Sequence, residues 1–198
     1  MSAPRVILAS SSPRRHDLLE LIGIRHEVIP ANIDESIRGR ESPTKHAERL
    51  AREKAGAIAS RDPGSVAIGA DTIVLIDKKI LGKPANSVDA GSMLRLLSGR
   101  EHTVVTAVAV ARGEAIASAV EKVSVTFRKL SDDEIDAYIA TGEPMDKAGA
   151  YGIQGYGATI VERIEGDYFA VMGLPLVLLV SLLKEVGVKY AFGDVTLS

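Results

Sequence analysis

Cysteine is absent from the 198-residue chain, so disulfides and thiolate metal sites are excluded, and any metal must be held by oxygen or histidine ligands. An excess of positive charge is absent too. The formal net charge is −2, whereas a general nucleic-acid-binding protein normally carries a basic face. A small polyphosphate needs only a local cluster of cations, so the net charge leaves that class of ligand open.

Long hydrophobic runs are also missing. The longest uncharged stretch, 168–183, is interrupted by Gly173, Pro175 and Ser181 and falls short of a membrane span. The apolar run 6–9 near the N-terminus is too short for the core of a signal peptide. Because the lack of cysteine is also compatible with a reducing compartment, we expect a soluble cytoplasmic protein with neither a nucleic-acid nor a membrane partner.

The chain has enough apolar material to form a core. Hydrophobic residues make up 46% of it and charged residues 25%, which is ordinary for a globular protein. The length suits one large domain or two closely joined lobes, and we expect a single domain over residues 1–198. The oligomeric state stays open, with a homodimer as one alternative.

Strand-like and helix-like segments alternate along the chain. The pattern predicts strands at 5–9, 26–30, 65–70 and 73–76, and helices beginning at Pro13, Ser42-Pro43, Ser87 and the capping box of Ser131 and Glu134. A β-rich stretch, 102–130, should turn at Gly113-Glu114. Two short strands should meet at 166–167, before a last helix at 175–186. This order indicates an α/β fold around a mixed sheet with flanking helices.

The segment 10–15, Ser-Ser-Ser-Pro-Arg-Arg, is a candidate phosphate site at a strand-to-helix junction. The free N–H groups of a helix start favour an anion, and arginine binds phosphate oxygens in a fixed fork. A serine-capped helix with solvated arginines explains the segment equally well. The residues alone leave both interpretations open.

Asp71 is a second candidate, because it breaks an apolar run between Ile68 and Val74. A carboxylate in such surroundings is costly to bury unless it is paired, hydrogen-bonded or bound to a metal. The alternative places Asp71 at a strand end, where it would cap a turn. Taken singly, Lys54 and Lys83 indicate no more than solvent-facing charges.

A third candidate is the loop 146–157, which contains four glycines together with Lys147, Gln154 and two tyrosines. Such a loop lets a ligand approach the backbone closely, but its spacing fits neither a Walker loop nor a dinucleotide fingerprint. The four histidines show no ligand spacing and receive no role. They are His16, His26, His46 and His102.

Taken together, these motifs resemble the Maf family of pyrophosphatases, which belongs to the inosine-triphosphatase-like superfamily. The similar stretches run in order from about residue 5 to residue 185 and include 7–15, 51–55, 69–72, 82–84, 146–155 and 173–175. The Ser-x-Ser-Pro-Arg-Arg and Asp-Lys-Ala-Gly-Ala-Tyr motifs are specific to the family. The resemblance implies an elongated α/β fold with two lobes around a central cleft.

The resemblance also implies an activity, the hydrolysis of a nucleoside triphosphate to its monophosphate and pyrophosphate. The Tyr-Gly-Ile-Gln form of the loop at 151–154 resembles the branch that acts on dTTP and UTP rather than the 7-methyl-GTP branch. The family's name comes from inhibited septum formation, which suggests a housekeeping or division-related role. A nucleotide-binding regulator without turnover and a pyrophosphatase for a modified purine remain the alternatives.

Residue roles carry over by position. Asp71 matches the proton acceptor of the family, and its specificity positions correspond to Arg14, Thr72 and Gln154. The phosphate- and metal-site positions correspond to Ser10, Arg15, Glu35, Lys54 and Lys83, and Lys147 is assigned to substrate binding with them. The expected cofactor is Mg²⁺ or Mn²⁺, held by Asp71 and Glu35, because Mg²⁺ binds through one or two carboxylates plus substrate phosphates.

Overall fold

The computed structural model of the chain describes residues 3–197. It is a mixed α/β protein, as the sequence predicts. The strands are β1 (Val6–Leu8), β2 (Glu27–Val28), β3 (Val66–Ile76), β4 (Lys79–Leu81), β5 (Glu101–Arg112), β6 (Ala115–Phe127), β7 (Val161–Glu165), β8 (Val188–Ala191) and β9 (Asp194–Leu197). The helices are α1 (Pro13–Leu21), α2 (Pro43–Ala59), α3 (Ser87–Leu97), α4 (Asp132–Ala140), α5 (Tyr168–Met172) and α6 (Leu176–Glu185).

Seven strands form one mixed sheet with the order β2-β1-β3-β5-β6-β7, and β4 pairs with β3 as an antiparallel neighbour. Strand β1 is parallel to both of its partners, and its buried residues Val6, Ile7 and Leu8 pair with 66–68 of β3. Strands β8 and β9 form a separate antiparallel hairpin. Parallel pairing at β1 matches its continuous apolar run, because a parallel strand is buried on both faces.

The chain divides into two compact units. The first comprises Met1–Asp71, Thr106–Glu121 and Gly173–Ser198. Its core combines β1 and the first half of β3 with apolar faces of α1, α2 and α6, where Leu18, Leu50 and Leu179 are almost inaccessible to water. The phenol of Tyr190 in the hairpin donates to the carbonyl of Ile22 over 2.9 Å, which ties the hairpin to the end of α1.

The second unit comprises Thr72–Val105 and Lys122–Met172. Its core is centred on Phe127, with Leu94 and Leu97 of α3 and Ile135 of α4 buried with it. Helix α4 begins with the predicted capping box, in which the Ser131 side chain accepts from the backbone of Glu134 and the Glu134 side chain accepts from Ser131. The two-lobe arrangement around a cleft stays a prediction.

Three features differ from the sequence-based expectation. Strand β3 is continuous through Asp71 and Thr72, where a break was expected. Residues 168–172 form helix α5 instead of a short strand, because Asp167 accepts the N–H of Phe169 over 2.7 Å and starts a helical turn. The third difference is the C-terminal hairpin of β8 and β9, which the sequence-based expectation does not include. Among residues 3–197, no helix combines the length and apolar character needed to cross a membrane.

Candidate active site

Helix α2 packs directly on strand β3 in the first unit, and Gly69 makes this packing possible. A Cβ atom at Gly69 would lie 2.2 Å from the carbonyl oxygen of Ala51 and 2.7 Å from the backbone nitrogen of Ala55. The helix backbone therefore rests on the strand without an intervening side chain. This contact places Lys54, one residue before Ala55, beside Asp71, two residues after Gly69.

Lys54 lies between two carboxylates. Its ammonium nitrogen is 2.9 Å from Oδ1 of Asp71 and 2.8 Å from Oε1 of Glu35. Lys54 and Asp71 are buried, whereas the side chain of Glu35 is 59% exposed. Asp71 is the sixth residue of the eleven in β3, so the strand-end role considered from the sequence is wrong. Its burial is offset by the lysine, which is seventeen residues away in the chain.

Two sets of hydrogen bonds hold the loop that carries Glu35 in place. The carboxylate of Asp34 accepts the backbone N–H and the hydroxyl of Ser36, both over 2.9 Å, and closes a turn. Arg49 of α2 donates to the carbonyl of Ser36 over 2.9 Å and forms an ion pair with Glu41 at the other end of the loop. Of the acidic pair in this loop, Asp34 makes the turn and Glu35 reaches Lys54.

Arg15 is buried, although arginine is usually exposed. Its Nη1 donates to Oγ of Ser10 over 3.0 Å and to the carbonyl of Ala70 over 2.9 Å, and its Nε donates to the carbonyl of Gly173 over 2.9 Å. Burial lowers the pKa of Arg15, while the charge of Asp71 acts in the opposite direction. The guanidinium therefore anchors α1 to the strand segment that leads into Asp71, and the alternative of a solvated arginine is wrong at this position.

The start of α1 differs in detail from the expected serine cap. Ser12 is the N-cap residue, but its side chain makes no capping hydrogen bond. Its N–H instead donates to Oγ of Ser10 over 3.2 Å, so the buried Ser10 hydroxyl joins the helix start to Arg15. Arg14 is half-buried in the first turn of the helix. The segment after β1 and the start of α1 thus lie together in the first unit, and this junction carries the guanidinium groups of Arg14 and Arg15.

Four other predicted residues lie in the second unit. Thr72 is half-buried in β3, directly after Asp71, and Lys83 is exposed after β4. The N–H of Gly149 donates to the carbonyl of Gly82 over 3.0 Å, which joins the Lys83 segment to the glycine-rich loop. The ammonium of Lys147 lies 2.6 Å from both the carbonyl of Glu143 and Oδ1 of Asp146.

Gln154, the fourth of these residues, is exposed on the glycine-rich loop, and the backbone around it is held by Glu143. One carboxylate oxygen of Glu143 accepts the N–H of Gly157 over 3.0 Å and the phenol of Tyr138 over 2.8 Å, and the other accepts the N–H of Tyr156 over 2.9 Å. Burial opposes ionisation, but these hydrogen bonds outweigh it, so the pKa of Glu143 lies below its usual value. Sequence reasoning missed this role.

A signal for Glu143 could have been found in the loop's own composition. A glycine-rich loop exposes backbone N–H groups that need acceptors. Glu143 carries a carboxylate three residues before the loop 146–157, close enough in the chain to supply such an acceptor. Gly155 adopts a positive φ of 63°, and a Cβ there would lie 2.5 Å from the Glu143 carboxylate. The glycines thus let the carboxylate approach the backbone from inside the loop.

Within the first unit the structure therefore joins Ser10 to Arg15, and it joins Glu35 and Asp71 through Lys54. Arg15 also donates to the carbonyl of Ala70, the residue directly before Asp71. Within the second unit it places the segments of Lys83, Lys147 and Gln154 on one connected loop system. The catalytic, substrate-binding and metal-binding roles of all these residues stay predictions.

Comparison with known proteins places this arrangement in a family. The chain is 52% identical over 183 residues to the dTTP/UTP pyrophosphatase of Geobacillus sp. (strain WCH70), an alignment that covers 92% of this chain and 98% of the relative. It is 50% identical over 181 residues to the dTTP/UTP pyrophosphatase of Aquifex aeolicus (strain VF5), with 91% and 95% covered. The solved Ham1 protein of Staphylococcus aureus aligns over 79% of each chain at 15% identity, with a TM-score of 0.47. The family model described as Maf-like protein matches residues 5–186, and the chain therefore belongs to the Maf family.

Proposed function

We propose that the protein is a nucleoside triphosphate pyrophosphatase that converts dTTP and UTP to the monophosphate and pyrophosphate. The observation that carries the proposal is the position of Lys54 between Asp71 and Glu35, because a buried carboxylate and a cation meet beside a helix start that can accept phosphate. Relatives about half identical to this chain over more than nine-tenths of its length carry the name dTTP/UTP pyrophosphatase.

The proposed substrate-binding cations supply the positive charge that a triphosphate requires. Arg14 presents a guanidinium in the first turn of α1, where the backbone N–H groups and the helix dipole also favour an anion. Lys54 would balance charge that develops as the bond between the α and β phosphates breaks. Lys83 and Lys147 would hold the leaving pyrophosphate. Arg15 would act mainly by keeping Ser10 and the helix start in place, because its Nε and Nη1 donate to two backbone carbonyls and to the Ser10 hydroxyl.

The carboxylates fit a divalent metal. Asp71 and Glu35 both lie within 3 Å of one ammonium nitrogen, so a single positive charge can be shared by the two groups. This is the donor chemistry that Mg²⁺ or Mn²⁺ takes, with the remaining positions filled by water and substrate oxygens. When bound, such a metal neutralises phosphate charge and makes a coordinated water more acidic.

Asp71 would orient and deprotonate the water that attacks the α phosphorus. Its place in the middle of a buried strand and its pairing with Lys54 keep the carboxylate fixed. The exposed Gln154 would read the base. Its amide can donate to one carbonyl and accept from the ring N–H of uracil or thymine, an arrangement that the unprotonated ring nitrogen of cytosine cannot satisfy.

Two further residues would contribute to recognition of the base. Arg14 and Thr72 would assist Gln154, by position in the family, and an open space at the C5 atom of the base would admit the thymine methyl group. We place the reaction in the cytoplasm, where nucleoside triphosphates are made and consumed. A homodimer remains compatible with the proposal.

The test is a nucleotide panel with Mg²⁺ or Mn²⁺ in which pyrophosphate and orthophosphate are measured separately. Pyrophosphate and the monophosphate should be the products from dTTP and UTP. Asp71→Asn keeps the shape of the side chain but removes the base, so turnover should fall by at least ~10²-fold while the protein stays folded. Orthophosphate and a nucleoside diphosphate as main products, or near-normal turnover of Asp71→Asn, would contradict the proposal.

A further inference from the structure

Two histidines that received no role from the sequence lie in contact in the first unit. Nδ1 of His16, in the middle of α1, is 2.8 Å from Nε2 of His26, in the segment that leads into β2. The ring centroids are 4.9 Å apart and the rings are inclined at 61°. Glu20 lies one helical turn after His16, so its carboxylate is on the same face of α1.

The three side chains converge on one point. One ligand atom from each of His16, Glu20 and His26 lies within 4.8 Å of the other two, and no other group of three histidine or acidic side chains among residues 3–197 does so. Two imidazole nitrogens and one carboxylate oxygen form a donor set that zinc enzymes use, with water as the fourth ligand. The orientation of the His26 ring is a second feature, independent of this proximity, that favours metal binding.

The ring of His26 is fixed by a group outside the cluster. Its Nδ1 lies 2.8 Å from the carbonyl oxygen of Ile24, which can only accept a hydrogen bond, so Nδ1 carries the hydrogen. In the neutral ring, Nε2 therefore presents its lone pair toward His16 and Glu20. Metal-binding histidines are commonly oriented in this manner, with the second ring nitrogen donating to a backbone carbonyl.

We propose that His16 Nδ1, Glu20 and His26 Nε2 form a binding site for Zn²⁺ or a similar divalent transition metal. His16 would move its hydrogen from Nδ1 to Nε2, which frees the Nδ1 lone pair for the metal. In tetrahedral zinc sites with Zn–N bonds of about 2.0–2.1 Å, the two nitrogens are about 3.3 Å apart. The present contact of 2.8 Å must therefore open by about 0.5 Å, which a small rotation of the His16 ring provides.

This site differs in chemistry from the pair of carboxylates at Asp71 and Glu35. Imidazole suits zinc, copper and nickel, whereas Mg²⁺ prefers oxygen ligands and keeps several waters. A high concentration of Mg²⁺ should occupy the carboxylates and leave the histidines free. Bound Zn²⁺ would join α1 to the segment before β2, and a ligand that binds only the folded state raises its stability.

The experiment is a titration of the whole protein with Zn²⁺ in excess Mg²⁺, followed by the ¹⁵N resonances of the histidine rings and by the thermal midpoint Tm. One equivalent of Zn²⁺ should shift the Nδ1 signal of His16 and the Nε2 signal of His26 and should raise Tm. Further Mg²⁺ should change neither. Glu20→Gln and His26→Gln should each weaken Zn²⁺ binding by about 10- to 100-fold or more, as loss of an outer-shell partner already does.

The matched control is Asp17→Asn, which removes an exposed carboxylate from the same helix without touching the cluster. Its affinity for Zn²⁺ should equal that of the wild type. The proposal is overturned if Zn²⁺ leaves both ring signals unchanged, or if Glu20→Gln and His26→Gln bind Zn²⁺ as tightly as Asp17→Asn. Because none of these readouts is enzymatic, the result is independent of the proposed pyrophosphatase activity.

Discussion

Replacing Gly69 by alanine tests how the fold positions the buried charges. The new Cβ would lie 2.2 Å from the carbonyl oxygen of Ala51 and 2.7 Å from the nitrogen of Ala55, and both atoms belong to the backbone of α2. Since no flexible side chain can turn away, the helix itself must move. An ordinary contact between carbon and carbonyl oxygen is about 3.3–3.6 Å, so the required displacement is about 1 Å.

This displacement has two separate consequences. Overpacking of a core costs about 1–3 kcal/mol, and for a protein of this size each kcal/mol lowers Tm by about 2–4 °C. The second consequence is chemical, because Lys54 moves with the helix while Asp71 stays on the strand. A shift of about 1 Å in a reacting group can cost about 10²-fold in rate, so turnover should fall by roughly that factor even in the folded fraction.

The assay compares Gly69→Ala with Gly56→Ala, by calorimetry and by steady-state pyrophosphate release. Gly56 lies in α2, and a Cβ there would meet no atom within 4 Å. Gly56→Ala should therefore keep full activity and gain about 0.5–1 kcal/mol from helix propensity. If Gly69→Ala matches the wild type in both Tm and turnover, the close packing of helix on strand is refuted. Lost stability with unchanged turnover of the folded protein would refute the link between this packing and catalysis.

Three further predictions concern the second unit. Gln154→Ala should bring kcat/KM for UTP close to that for CTP, and an unchanged ratio would remove Gln154 from base recognition. Glu143→Gln places an amide NH₂ group against backbone N–H groups and loosens the loop, so KM should rise more than kcat falls; unchanged kinetics would contradict this positioning role. Burial lowers the pKa of His102 to about 4 from the ordinary value of 6.5 for histidine, so the unfolded chain takes up the proton first as the pH falls. Stability should drop by at most roughly 3 kcal/mol between pH 6.5 and 4, and urea titrations of His102→Gln should show a shallower dependence.

Local signals in the sequence predicted much of the fold. Pro13 starts α1, Ser131 and Glu134 form their capping box, and the turn at Gly113-Glu114 joins β5 to β6. Each of these features depends on residues within about four positions of one another, where backbone hydrogen bonding and the allowed φ and ψ angles decide the outcome. These three features can therefore be predicted from the local sequence alone.

The unpredicted features have causes that lie far apart in the chain. Strand β3 continues through Asp71 because Lys54, seventeen positions earlier, pairs with the carboxylate. The two imidazoles of His16 and His26 meet because β1 and β2 are parallel neighbours, which brings the segment before β2 against α1. Spacing along the sequence cannot show either contact, since both require the folded sheet.

The sequence indicated which residues belong to the candidate site, but it did not show which residue of each adjacent pair has a structural contact and which is presented to the site. Arg14 and Arg15 are adjacent and chemically identical, yet Arg15 is buried and donates to two backbone carbonyls and the Ser10 hydroxyl, while Arg14 is half-buried in the first turn of the helix. Similarly, Asp34 closes a turn and Glu35 contacts Lys54. In each pair, one residue holds the backbone that presents the other, and only the contacts distinguish them.

Stability alone does not explain why Lys54 and Asp71 are present in the interior. Replacing a buried ion pair with apolar side chains of similar volume is often neutral or stabilising, because two charges no longer have to be removed from water. Ala51 and Ala55 on the same helix and Ile68 on the same strand are apolar and buried. What an apolar pair could not supply is a fixed carboxylate beside a cation, with the exposed Glu35 completing the set. The proposed binding and hydrolysis of an anionic substrate would require such a carboxylate and cation, and this requirement would account for charges that are costly to bury.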